Sequence, residues 1–172
     1  MTPRPHKLSL PVSLENQIFV KLLKTADALE QQAEELVRTA DLTGAQYNVL
    51  RILRGAGPEG LPCRAIGERM ISHDPDITRL LDRMEKRGWI IRERQTKDRR
   101  VILTRVTPQG LALLKTLDEP VRELHKRQFR HIPAARLKML GELLEEIKAR
   151  CTESESLNPS SGQFIEKQKE KH

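Results

Sequence analysis

Apolar side chains recur every three or four positions over most of the chain, and this rhythm gives way once to short β-branched runs. Leu14, Ile18, Leu22, Ala26, Leu29, Ala33 and Leu36 mark a helix from a Ser13 cap to about Thr39. Thr43-Gly44-Ala45-Gln46 matches a capping box, in which the hydroxyl and the carboxamide satisfy each other's backbone amides. Val49, Leu50, Ile52 and Leu53 carry the helix behind it, which Gly55-Ala56-Gly57-Pro58 ends. A short helix from about Pro62 to Met70 turns Ala65, Ile66 and Met70 inward. After a break at 71–74, the spacing predicts a helix from Pro75 to about Arg87, with Asp74 as cap and Gly88 beyond its end. Residues 89–94 and 101–106 read as two strands of a hairpin around the polar stretch 95–100. Thr107-Pro108 then starts a helix whose stripe is Leu111, Leu114, Leu117, Val121 and Leu124, and Pro120 is expected to kink or interrupt it. Pro133 opens a last helix on Leu137, Leu140, Leu144 and Ile147, ending near 150.

This order defines a mainly α fold of the α+β kind: a helix-turn-helix followed by a hairpin wing. The pattern divides the chain into a flexible arm (1–12), a terminal helical region (13–42 with 107–150), a winged lobe (43–106) and a disordered tail (151–172). The helices at 13–39 and 133–150 carry more apolar surface than so small a lobe can cover. A second copy of the chain is the expected partner, which would set two equivalent helices about one DNA turn apart.

The helix at 75–87 carries the candidate chemistry. Ile77, Leu80, Leu81 and Met84 form a narrow apolar stripe that docks it, and Arg79, Asp82 and Lys86 face the other way with Thr78 and Arg83 on the flanks. A helix fits the B-DNA major groove and reads bases near its N-terminal end. Arg79 suits bidentate bonding to guanine, and Thr78 suits a thymine methyl or a phosphate. Asp76 either accepts from cytosine or only favours the positive helix terminus; Asp74 does the latter. His73 is either a phosphate contact or an idle surface residue.

Charge strengthens this picture through its location. The chain has 31 Lys+Arg against 24 Asp+Glu, a net +7. Arg92, Arg94, Lys97, Arg99, Arg100 and Arg105 crowd the hairpin, opposed only by Glu93 and Asp98. Cations near phosphates gain affinity through counterion release, and a tip arginine can enter a narrow minor groove. Lys97, Arg99 and Arg100 are thus DNA candidates, with Asp98 as support for the wing. The partner implied is double-stranded DNA. Cys63 and Cys151 lack the spacing of a metal site, the five histidines are scattered, and no GxSxG, HExxH, P-loop or GxGxxG spacing occurs. No enzyme, metal or cofactor is expected. The absence of a signal segment or long apolar run predicts a cytoplasmic protein without a membrane partner.

These blocks together resemble the multiple antibiotic resistance regulator (MarR) family of winged-helix repressors. The matching residues are Leu42-Thr43, Gln46-Tyr47 and Leu50, then Ile66 and Arg69-Met70, then Asp74 through Glu85 with Gly88. The match continues through Arg92, Asp98-Arg99-Arg100, Leu103, Thr107 and Gly110, and covers roughly 13–150. The resemblance implies a homodimer joined by its first and last helices, with Thr78 and Arg79 on the recognition helix, Arg100 as the wing arginine and Asp98 as its support. It further implies a repressor of a pseudo-palindromic operator, released by a small aromatic or anionic effector. The competing expectation is a winged-helix module for protein contacts whose basic wing is incidental.

Overall fold

The computed structural model of the protein describes residues 13–72, 76–95 and 100–157. The chain divides into two compact units, Met1–His125 and Lys126–His172. In the first, α1 spans Leu14–Arg38, and the Ser13 hydroxyl accepts from the Asn16 amide. α2 (Gly44–Ala56) opens with the complete capping box: the Thr43 hydroxyl takes the Gln46 amide, and the Gln46 side chain takes the Thr43 amide at 2.9 Å. Gly57, at φ +70°, ends it. β1 (Leu61–Pro62), α3 (Cys63–Arg69), α4 (Ile77–Lys86), β2 (Ile90–Arg94), β3 (Ile102–Val106) and α5 (Pro108–Phe129) follow.

The core gathers one face from each element. Val37, Leu42, Val49, Leu50, Leu53, Ile66, Leu80, Leu81, Met84, Trp89, Ile90, Leu114, Leu117 and Val121 form a single buried cluster. It is aliphatic except for Trp89, as a chain with 3% aromatic residues must be. β2 and β3 pair antiparallel with Arg92 opposite Thr104 and Arg94 opposite Ile102. The hairpin is not alone: β1 adds a third strand on the outer side of β3, giving the order β1-β3-β2.

Three sequence expectations need correction. The cap of α4 is Asp76, whose carboxylate accepts from the Arg79 amide at 3.3 Å, and the helix starts at Ile77 rather than Pro75. Asp74, Pro75 and His73 lie outside the described residues. α5 runs uninterrupted through Pro120. Its neighbours Leu117, Val121 and Leu124 are buried, and this packing outweighs the one backbone hydrogen bond a proline removes. Finally, α6 (Ala134–Leu157) in the second unit continues through residues expected to be disordered. Nothing from Cys151 to Leu157 breaks a helix, whereas Pro159 disfavours helical backbone at the residue before it. The rest of the expected tail, and the arm at 1–12, lie outside the described residues.

α6 buries none of its residues; Met139, Leu140, Leu143, Leu144 and Ile147 are 39–61% exposed. On α1, Leu14, Ile18, Phe19, Val20 and Leu23 are likewise exposed. Each helix therefore presents an apolar stripe with no cover from its own unit.

Candidate nucleic-acid interface

α4 is held from two sides, which leaves a third for a ligand. Leu80, Leu81 and Met84 are fully buried and Ile77 packs against the same cluster. Thr78, Arg79, Arg83 and Lys86 are exposed, as their helical phase requires. Asp76 does two jobs at the N-terminus. It caps the helix through the Arg79 amide, and its other oxygen sits 3.1 Å from Arg79 Nε. The Arg79 side chain is still 79% exposed, so its guanidinium is oriented at the helix mouth without being sequestered. The first turn thus offers a hydroxyl and a guanidinium side by side.

Asp82 does not join that surface. It is half-buried, and with Glu85 it receives the guanidinium of Arg92 from β2. Arg92 Nη2 lies 2.5 Å from Asp82 and 2.6 Å from Glu85, Nε lies 2.9 Å from Glu85, and the Arg92 amide donates to the same carboxylate at 3.1 Å. The Glu85 hydrogen bond holds the Arg92 guanidinium above its ordinary pKa against partial burial, with Asp82 adding to the effect. This clip locks the first wing strand onto the recognition helix. Arg105 is also occupied within the lobe, by Glu93 and the Pro58 carbonyl, each at 2.6 Å. Two of the six hairpin cations therefore hold the fold together rather than face outward. Arg94 and Arg100 are exposed. Lys97, Asp98 and Arg99 lie outside the described residues.

Sequence reasoning missed the clip because its partners are joined only by tertiary folding. The available signal was the pair Asp82 and Glu85, three apart on one helix face, ahead of a strand arginine. Charged hydrogen bonds of this kind contribute about 1.5–3 kcal/mol each in favourable cases, and the Arg92 side chain is 26% exposed. Arg92→Ala is therefore expected to cost about 2 kcal/mol of stability, read by chemical denaturation, because Asp82 and Glu85 then face each other without a cation. A loss under about 0.5 kcal/mol would mean that water serves these carboxylates as well as the arginine does.

Beside this surface lies a cavity of about 890 Å³ within the first unit. α1 lines it with Ala33 and Glu34, α2 with Tyr47, Asn48 and Arg51, and α5 with Val121. Met70, Ile71 and Ser72, which connect α3 toward α4, close one side. The Arg51 guanidinium lies 5.9 Å from the Tyr47 ring centre. Among the described residues, no cluster of His, Cys, Asp and Glu could hold a metal ion, and no helix is long and apolar enough to cross a membrane.

A helix-turn-helix with an outward arginine on its second helix, followed by an antiparallel wing, defines a winged-helix protein of the DNA-binding regulator class. The comparisons agree. The MarR family's sequence model matches residues 42–102. A MarR transcription factor from Planctomyces limnophilus is 41% identical, with a TM-score of 0.60 over 77% of this chain and 96% of that one. The homoprotocatechuate degradative operon repressor of Escherichia coli is 25% identical over 136 residues, 79% of this chain and 90% of its own. CouR from Rhodococcus jostii, solved bound to p-coumaroyl-CoA, is 25% identical with a TM-score of 0.68 over 80% of this chain and 95% of that one. The chain belongs to the MarR family: it is a DNA-binding transcription regulator, not an enzyme.

Proposed function

We propose that the protein acts in the cytoplasm as a homodimeric repressor that binds a pseudo-palindromic operator and is released by a small aromatic or anionic ligand. The observation that carries this reading is the division of α4, with Leu80, Leu81 and Met84 buried and Thr78 and Arg79 exposed at its capped N-terminus. Thr78, Arg79 and Asp76 meet the base edges, with Asp76 acting chiefly by orienting Arg79. Arg83 and Lys86, nearer the C-terminal end, meet phosphates. Lys97, Arg99 and Arg100 grip the neighbouring backbone or minor groove, with Asp98 holding the wing. The uncovered stripes on α1 and α6 support dimerisation, because a symmetric partner would bury both.

The cavity supports the ligand half of the reading. Its volume lies in the range of small-molecule sites, which are mostly apolar with a few polar groups. An aromatic acid would stack on Tyr47 and pair with Arg51.

Selection of genomic fragments by the purified protein tests the function, and salt titration of the selected duplex tests the mode. A dimer making some 6–10 phosphate contacts is expected to lose about 10³-fold or more in affinity between roughly 50 and 200 mM salt. Failure to enrich any duplex, with salt-insensitive binding to another protein instead, would return the chain to the protein-contact alternative.

A further inference from the structure

The linker between α3 and α4 is tied to the cavity by one side chain. The Asn48 carboxamide oxygen accepts the Ile71 amide at 3.0 Å, and Asn48, Met70, Ile71 and Ser72 all line the cavity. Ile71 is 87% exposed, a large apolar side chain left beside an empty apolar volume. The same linker leads to Asp76, which caps α4 and holds Arg79. An element that lines the cavity at one end and sets the recognition helix at the other, with a single side-chain anchor to α2, is a joint.

We propose that Asn48 is a positioning residue for DNA recognition. By holding Ile71 it fixes where α4 begins, and a molecule in the cavity releases α4 by displacing this linker. The physical basis is competition for one place. Filling the cavity gives Ile71 an apolar surface to cover, which burial favours, but Ile71 can move onto it only by leaving the Asn48 oxygen. The size of the effect is set by one hydrogen bond, so it is a several-fold modulation and not an absolute switch. This inference rests on the reading of α4 as the DNA-binding helix, and the experiment keeps the two apart.

The experiment measures affinity for the selected duplex and exchange of the Ile71 amide in the full chain carrying Asn48→Ala or Asn48→Asp. N48A is expected to lower affinity about fivefold and Ile71 protection by a similar factor, because the net value of one such bond is about that size. N48D keeps an acceptor oxygen and is expected to restore most of the protection. Cavity filling is then imitated without any ligand by Ala33→Trp, or by Ala26→Trp on the same helix face if the first variant does not fold. The indole is expected to weaken DNA binding about fivefold in the native background and less than about twofold in N48A, since the joint is already open there. Equal losses in both backgrounds, or N48A binding as tightly as the native protein, would overturn the joint and leave the DNA reading intact. If the native protein binds no duplex, the DNA reading fails, and unchanged Ile71 exchange in N48A would independently overturn the joint.

Discussion

Replacing Arg79 with alanine is expected to lower affinity for the selected duplex by about 5- to 150-fold, the range that a bidentate arginine–guanine contact supports. The structure gives reasons for choosing this residue over its neighbours. Its side chain is exposed at the N-terminal end of α4, and Asp76 steadies Nε at 3.1 Å. Nη1 and Nη2 remain the natural fork for a base edge. Arg79→Lys keeps the charge but loses that planar fork, so it is expected to recover binding to random DNA more than specificity. Arg83 and Lys86 stand farther along the helix. Alanine there is expected to weaken all duplexes alike and to reduce the salt slope by about one contact each. Electrophoretic mobility or anisotropy titration at two salt concentrations separates the two kinds of loss. Arg79→Ala binding the selected duplex within about twofold of the native protein would remove the reading of α4 as a base-reading helix.

How much of this was legible in the sequence depended on how local each signal was. The Thr43–Gln46 capping box spans one turn and its chemistry is self-contained, so it appears as read. The docking stripe of α4 is equally local and is buried as its spacing requires. Asp74-Pro75-Asp76 is different. Either acid can cap, and proline at the first helical position favoured Asp74, while the folded helix uses Asp76. β1 left no trace, because a two-residue strand has no periodicity and Leu61 pairs with Thr104 far along the chain. The wing's charge was read correctly in amount but not in use. Arg92 and Arg105 belong to ion pairs inside the lobe, and only the three-dimensional pairing separates them from cations such as Arg94 and Arg100 that point to solvent. Burial can be inferred from spacing; the partner of a long, flexible arginine cannot.

Gly110 shows how a motif that is opaque in sequence acquires a physical cause, and it carries the largest expected effect on stability. Thr107 and Gly110 start α5: the Thr107 hydroxyl accepts from the Gly110 amide at 3.1 Å. The same hydroxyl donates toward the carbonyls of Gly88 and Trp89, and the Thr107 amide donates to Trp89 at 3.0 Å. The end of the recognition helix, the first wing strand and the start of α5 therefore meet at one point. A Cβ on Gly110 would lie 2.3 Å from the Trp89 carbonyl oxygen and 2.9 Å from Val106 Cγ2. Helix propensity alone would make Gly110→Ala stabilising by about 1 kcal/mol. The clash is with backbone that already bonds Thr107 and is followed by the buried Ile90, so it cannot yield without shifting the wing. Overpacking of this kind costs about 1–3 kcal/mol or more, and with no flexible side chain to move aside the upper end applies. Gly110→Ala is thus expected to destabilise by about 2–3 kcal/mol, the net of the two terms. Gly67, inside α3, has nothing within 4 Å of its virtual Cβ, so Gly67→Ala is the matched control with the opposite sign, a gain of about 0.5–1 kcal/mol. Denaturation of both variants at one protein concentration decides the matter. If they shift in the same direction, the close approach at Trp89 is not what Gly110 provides, and the junction that aligns wing and recognition helix must be sought elsewhere.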